Sequence, residues 1–351
     1  MATKYNKTEE SMIHKGRTLW RIVEISTGRK GGWIEHERNL SQFGNCMIWG
    51  EAKVYESAIV SGDALVEGQA EIYGNARVNG NAKVSDYAQV YHKAHVFDNA
   101  DVSGWAQLTG SVAVGDNAMV SDHAMIQEWA FINGKAKVYG EAKVFDTATI
   151  TDAAEVYGRA QVYGYATIRD SAKVYDDARV CDLVVVFGQA EVFENAFVSG
   201  KGVKGDHAKI YGHARLDGMT IVLHFTQVYG HAQLTGNISL FNYAEVYDNA
   251  SLNGAVLLAD NAKVFEDAQV SGELVVIKND AQVYGEATVE NYARLYDYAQ
   301  VYGHATIKDR AQVYGKAVVY EQAIVKDSAQ VYGTATVKGS TVIANHEHVF
   351  D

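Results

Sequence analysis

Proline is missing altogether from this chain of 351 residues. At an average usage of about 5%, roughly 18 would be expected, and each would remove one backbone donor. A backbone without proline is one in which nearly every N–H has an acceptor, and long continuous sheet ladders are the arrangement that demands this. Cysteine is nearly missing too. Cys46 and Cys181 alone make neither a disulfide framework nor a zinc cluster, so a reducing, cytoplasmic location is expected. No run of 18 apolar residues occurs and the opening MATKYNKTEESMIHKGR is polar, so neither a membrane span nor a signal peptide is expected. An excess of basic charge is also lacking. With 31 Lys and Arg against 43 Asp and Glu the net charge is −12, interspersed along the chain, which argues against a nucleic-acid partner. What is present is enough apolar material, 48%, to build a large core.

That material is arranged in a repeat. From residue 52 the chain reads AKVYES, AIVSGD, ALVEGQ, AEIYGN, ARVNGN, AKVSDY, AQVYHK, AHVFDN. Ala52 to Ala268 span 216 residues, 36 steps of six without an insertion; the next interval, to Ala281, is 13 rather than 12. The frame then continues in nine further steps to Ala335. Each hexad reads as four extended residues and a two-residue corner. Positions one and three, Ala then Val, Ile or Leu, share one side of a strand and point inward, and positions two and four point outward. Position five is mostly Gly or Asp, as at Gly62, Gly68, Asp86 and Asp98, residues that tolerate a left-handed corner. Helical periodicity is absent from this stretch.

Ladders of like residues set the number of hexads per turn. Tyr139, Tyr157, Tyr175, Phe193, Tyr211, Tyr229, Tyr247 and Phe265 recur every 18 residues, and Tyr284, Tyr302 and Tyr320 continue the column past the insertion. Three hexads per coil make a triangular solenoid. About 47 hexads then give about 16 coils at the strand spacing of about 4.8 Å. Residues 1–50 lie outside the frame and read as an N-terminal cap, with a strand over residues 18–25 and Trp20, Trp33 and Trp49 placed to cover the first coil. Residues 51–340 form the solenoid, and residues 341–351 a C-terminal cap or tail.

The hexads resemble the bacterial hexapeptide repeat of the left-handed β-helix proteins, the acyltransferase-like superfamily. GRTLWRIVEI and the segment GGWIEHERNLSQFGNCMIWGEAKVYE, Gly31 to Glu56, are similar to the opening of the YdcK-like solenoid proteins. The family's usual Gly directly after the aliphatic residue is replaced here by Tyr or another residue, with Gly one place later. The resemblance implies an all-β, single-stranded, left-handed parallel β-helix. It also implies a label of transferase that rests on the fold, and fold does not carry function.

The three outward faces differ. The Tyr-bearing face alternates charges at its second positions, among them Lys137, Glu155, Lys173, Glu191, Lys209, Glu245 and Lys263, which reads as a solvated face fixing register. The next face turns apolar from residue 183, where Val185, Phe187, Val203, Ile221, Leu223, Phe241, Leu257, Ala259 and Val276 face outward. A strip of that size is larger than a monomer usually leaves bare, so it reads as an association face, most simply of a homo-dimer or trimer. A terminal segment folded over the strip is the alternative. The third face, with Lys143, Gln161, Arg179, Arg215, Gln233 and Ser251, is assigned no role.

Chemistry is harder to find. A hexapeptide-repeat acyltransferase would need a His base beside an acyl-coenzyme A cleft between subunits. His224 borders the apolar strip and is the best of weak candidates. His213, His231 and His304 sit in the ordinary unit YGHA and read as corner residues; His346 and His348 could only form an isolated pair. Tyr87, Trp105 and His123 lie 18 apart at corner position six and read as a possible ligand cluster. The frame offers no long loop for a pocket and no nucleotide-binding, HExxH or GxSxG motif. The expectation is therefore a non-catalytic interaction protein without cofactor or metal, which self-associates through the apolar face and presents its charged Tyr face to a protein partner. The alternatives are an acyltransferase using acetyl-CoA or another acyl-CoA at a subunit interface, and a polysaccharide-binding module working through the Tyr ladder or the Tyr87 cluster.

Overall fold

The computed structural model describes residues 3–351 and is all-β, apart from one 3-10 turn at Glu37–Asn39. The chain divides into two compact units, Met1–Ser171 and Ala172–Asp351. Each is a parallel β-solenoid with a register of 18 residues. In the first, Lys83 pairs with Asp101 and Gln89 with Gln107; in the second, Glu191 pairs with Lys209 and Gln300 with Val318.

The hexad accounts for this architecture position by position. The inward residues at positions one and three are almost all fully buried, as at Ala88 and Val90 in the first unit and Ala299 and Val301 in the second. Position five lies at positive φ throughout, on Gly where the chain offers it and otherwise on Asp, Asn, Glu or His, including Asp86 at 58°, Glu194 at 55° and His224 at 64°.

Five of the six N–H groups of a regular hexad have backbone acceptors and the remaining one has a side-chain acceptor at many corners, which is the physical reason for the missing proline. Positions two to four lie in the ladder; thus Lys53 N donates to Ala70 O and Tyr55 N to Ile72 O. Position six donates to the corner carbonyl of the next coil, as Ser57 N does to Gly74 O, and position one closes the corner, as Ala58 N does to Tyr55 O. The fifth N–H is taken by a side chain wherever the corner one coil back carries one that can accept. An acid at one corner accepts the amide of the corner one coil on: Asp86 from Gly104 at 3.0 Å, Asp146 from Gly164 at 2.9 Å, Asp182 from Gly200 at 2.9 Å and Glu194 from Gly212 at 2.8 Å. The corner acids therefore do more than tolerate the left-handed backbone. They satisfy amides that would otherwise lack a partner, and they supply much of the negative charge.

The first unit opens with an antiparallel hairpin, Tyr5–His14 with Arg17–Glu24, whose second strand also pairs antiparallel with Lys30–Ile34. Lys30–Ile34 then runs parallel to Lys53–Val54, and Met47–Ile48 runs parallel to Leu65–Val66, so the coil register reaches back into the segment before residue 51. The three tryptophans of this segment lie under cations: Lys7 over Trp20, Arg21 over Trp33 and Arg29 over Trp49, the last two at 4.0 and 4.1 Å. Trp33 packs with Leu19 and Tyr55.

The second unit departs from the hexad in one region. At Gly218, Gly236, Gly254 and Gly272 the corner opens out, and two strands merge into single long ones: Arg215–Val222, Gln233–Leu240, Ser251–Leu258 and Gln269–Ile277. The extra residue between Ala268 and Ala281 appears here as a β-bulge, the ladder losing register between Gly254 and Val256. Residues 341–351 keep the register of 18 rather than leaving it, with Val342 beside Ile324 and His348 beside Gln330. No helix among the described residues is long and apolar enough to cross a membrane.

Candidate functional site

The opened corner lies beside the apolar strip and widens it. On successive coils Val185, Val203, Ile221, Ser239, Leu257 and Val276 stand in register as one column. Each is half-buried, and so are Phe187, Leu223 and Phe241 in the neighbouring column. At the corner position beside the strip Leu183, Met219 and Leu274 are 53, 49 and 44% accessible. Ala259, expected to face outward, is buried at 8%. Phe187 lies flat across Gly205, where an added Cβ would come within 2.1 Å of its ring. Inside this unit the C-terminal coil continues the ladders and pairs with Ile324–Val325 and Gln330–Tyr332.

One residue beneath the strip escaped the sequence reading. In GVKG, position three is Lys204, so a lysine occupies a place otherwise held by Val, Ile or Leu. It is fully buried, and its Nζ donates to the Oγ1 and the carbonyl of Thr220, both at 2.7 Å. Burial without a counter-ion pushes its ammonium down to about 7. On the same coil as Thr220, Thr226 is buried with its Oγ1 unpartnered. The signal was available: a lysine at an inward position of the frame.

The Tyr face is built as expected, with a further layer of bonding. In the first unit Tyr139 stacks on Tyr157 at 4.9 Å; in the second, the column from Tyr175 through Phe193, Tyr211 and Tyr229 to Tyr320 stacks at 4.8–5.0 Å with interplanar angles of 2–11°. Hydroxyls reach the second position of the next coil, Tyr175 donating to Glu191 at 2.7 Å and Tyr211 to Gln227 at 3.2 Å. The same glutamates meet lysines: Lys209 Nζ lies 3.5 Å from Glu191 and Lys263 Nζ 3.0 Å from Glu245. Burial first, and then the neighbouring Glu155, push the Tyr139 phenol up to about 12; burial and Glu245 also raise Tyr229. Ring faces inside such a column are taken by other rings, so a ligand that stacks can reach only its ends and breaks.

Tyr87, Trp105 and His123 also form a column, at 4.0 and 6.1 Å with near-parallel rings, and Gln69 donates to the Tyr87 hydroxyl. His224 is exposed, and its ring does corner work: its Nδ1 accepts the Asn242 amide at 3.1 Å while Asp206 accepts the His224 amide at 3.2 Å. His213 and His231 stack at 4.8 Å as corner neighbours, and His304 lies beside Glu286. Among the described residues no group of three or more His, Cys, Asp or Glu could hold a metal ion, the His346 and His348 pair included.

Inward small and aliphatic residues, left-handed corners and a register of 18 define a hexapeptide-repeat parallel β-solenoid. Within it, residues 70–86 match the YdcK β-solenoid repeat model, and the same hexad frame continues on both sides of that segment, so the chain is similar to the YdcK-like solenoid proteins. No curated protein matches the chain in sequence. Among solved structures, the UDP-N-acetylglucosamine O-acyltransferase LpxA of Moraxella catarrhalis RH4 is similar at 14% identity, over 60% of this chain and 71% of that one. Its TM-score of 0.21 carries no argument about activity.

Proposed function

We propose that this protein is a non-catalytic interaction solenoid that pairs with a second copy of itself through the apolar face of residues 183–277, leaving its charged Tyr face for another protein partner. The observation that carries this reading is the order of residues along the apolar column. Ser239 is the polar member of that column, with Ile221 and Val203 on one side and Leu257 and Val276 on the other, Val185 lying one coil beyond Val203. A face-to-face two-fold through the Ser239 coil, reversing the order of coils, sets Ile221 against Leu257 and Val203 against Val276. The same operation brings Lys201 of one copy beside the bulge residue Glu273 of the other; both are exposed. Over these five coils apolar character and one charge pair are self-complementary under a single symmetry operation, as an isologous dimer requires, and Val185 falls opposite Arg294 at the edge of the contact.

Light scattering tests this directly. The native chain is expected at twice the monomer mass, and Ile221→Asp or Val203→Asp, each placing a carboxylate in the middle of an apolar contact, should return it to the monomer. A native chain that is monomeric over the concentrations at which such dimers form sinks the reading. So does a dimer indifferent to both substitutions.

A further inference from the structure

The aromatic columns are closed stacks except where one of them breaks, and one break in the Ala172–Asp351 unit has the form of a binding site. Tyr296, Tyr314, Tyr332 and Phe350 occupy the fourth position of one face on successive coils. Tyr314 stacks on Tyr332 at 4.9 Å and Tyr332 on Phe350 at 5.2 Å. Between Tyr296 and Tyr314 no ring contact forms among the described residues, although their strands are in register. The gap is a solvent-open cleft of about 410 Å³ lined by Tyr296, Tyr314, Gln312, Asn279 and Asp297.

Its chemistry is specific. The Tyr314 ring is stacked on one side by Tyr332, and on the other it borders the cleft. The polar groups are held in place. The Tyr314 hydroxyl donates to Gln330 at 3.1 Å; Asn279 Oδ1 accepts the Asp297 amide at 3.3 Å, and Asp297 Oδ2 accepts the Gly315 amide at 3.0 Å. Those bonds use one oxygen of Asp297 and the amide oxygen of Asn279, while the Asn279 amide nitrogen and the second Asp297 oxygen stay available beside the Gln312 carboxamide. No Lys or Arg lines the cleft, so it is poorly suited to a phosphate or a carboxylate. An open aromatic face takes the positive edge of C–H groups, and a fixed set of amide and carboxylate groups takes hydroxyls. A ligand that offers both is a neutral sugar ring.

We propose that the cleft between Tyr296 and Tyr314 binds a neutral hexopyranose, its C–H face on Tyr314 and its hydroxyls on Gln312, Asn279 and Asp297. This is independent of the self-association reading, since it uses another stretch of the unit and another kind of contact.

Saturation-transfer NMR on the full chain is the test, with methyl glucoside, methyl galactoside, methyl mannoside and N-acetylglucosamine as probes and choline as a cationic control. At least one sugar should receive saturation, strongest on the protons of one ring face, with a Kd of about 1 mM as expected for a single open subsite. Tyr314→Ala should weaken binding about tenfold or more, Tyr314→Phe should retain it, and Gln312→Ala, which leaves the ring stack alone, should also weaken it. Light scattering of the same variants should be unchanged, which separates this result from any failure of the dimer. The proposal is overturned if no sugar is saturated, if choline alone is, or if binding survives both Tyr314→Ala and Gln312→Ala.

Discussion

Two faces of the Ala172–Asp351 unit share a backbone, a register and an interior, and still present unlike surfaces. On one, Lys209, Glu191, Glu245 and Lys263 alternate beside a closed column of rings, and nearly every polar group is met by a neighbour one coil away. On the other, Val203, Ile221 and Leu257 stand half-buried with only Ser239 among them, and the corner alongside is pulled open into long strands. The first face is complete in itself. The second leaves a column of apolar side chains half-open to solvent. Positions one and three point inward on both, with Ala190, Ala208 and Ala244 at position one under the Tyr face and the larger Val184, Ile238 and Val256 under the apolar one, while positions two and four set what each face presents.

Lys204 separates the faces most sharply, because it lies under the apolar one and has no counterpart under the Tyr face. Lys204→Met should raise stability by about 1–3 kcal/mol at neutral pH, the gain from removing a depressed ammonium less the cost of stranding Thr220. The sign with pH follows from its shift from 10.5 down to about 7. Below pH 7 the folded chain carries the whole penalty; between about 7 and 10.5 the unfolded chain alone stays protonated, so native stability rises with pH and the advantage of Met shrinks. The tyrosines do the reverse. With phenols such as Tyr139 raised to about 12, their contribution holds below pH 10 and is lost as pH rises through the folded values. Thermal melts of both chains from pH 6 to 11 should therefore converge near pH 10 and fall together above it. A constant gap would refute the buried-amine account.

A smaller effect sharpens the pairing of faces. Lys201→Glu should weaken self-association about tenfold, and adding Glu273→Lys should restore it, whereas either change alone leaves the thermal melt nearly where it was. Sedimentation at several concentrations would read this, and a double variant no better than the single ones would rule out the two-fold arrangement proposed. Smallest of all, and alike on every face, is the loss of one corner acid. Asp182→Ala removes the acceptor of the Gly200 amide and places Ala in a left-handed corner, for about 1–2 kcal/mol in chemical denaturation, most of which Asp182→Asn should recover.

Much of this was legible in the residues because the hexad states it redundantly. Inward Ala and Val, left-handed Gly and Asp, and Tyr at intervals of 18 are each repeated many times, so the coil, its register and the stacked column could be read without coordinates. What could not be read are the features set by side-chain direction at single places. The carboxylate of Asp146 reaching the Gly164 amide depends on a rotamer at a corner, and the sequence alone assigned Asp there only a backbone role. The insertion before Ala281 was visible, but not its resolution as a bulge at Glu273 and Leu274 within the apolar strip. Lys204 stands at an inward position of GVKG, a signal the sequence carries, but that its amine meets Thr220 is set by the stacking of one coil on the next. The break between Tyr296 and Tyr314 carries no sequence signal, since their spacing is that of the stacked pairs around them.

The chain carries two nested frames, one of six residues that decides which side chains go inside and one of eighteen that decides which face each coil shows. A deletion of eighteen codons within the regular coils would remove one layer and leave both frames intact. A deletion of six would preserve the interior and still turn every downstream face by a third of a revolution, so that a heritable change invisible to the core would shear the Tyr column and the apolar strip from their upstream halves. Length changes that keep both frames therefore come in steps of three repeats, or as a single residue absorbed in a bulge like the one before Ala281.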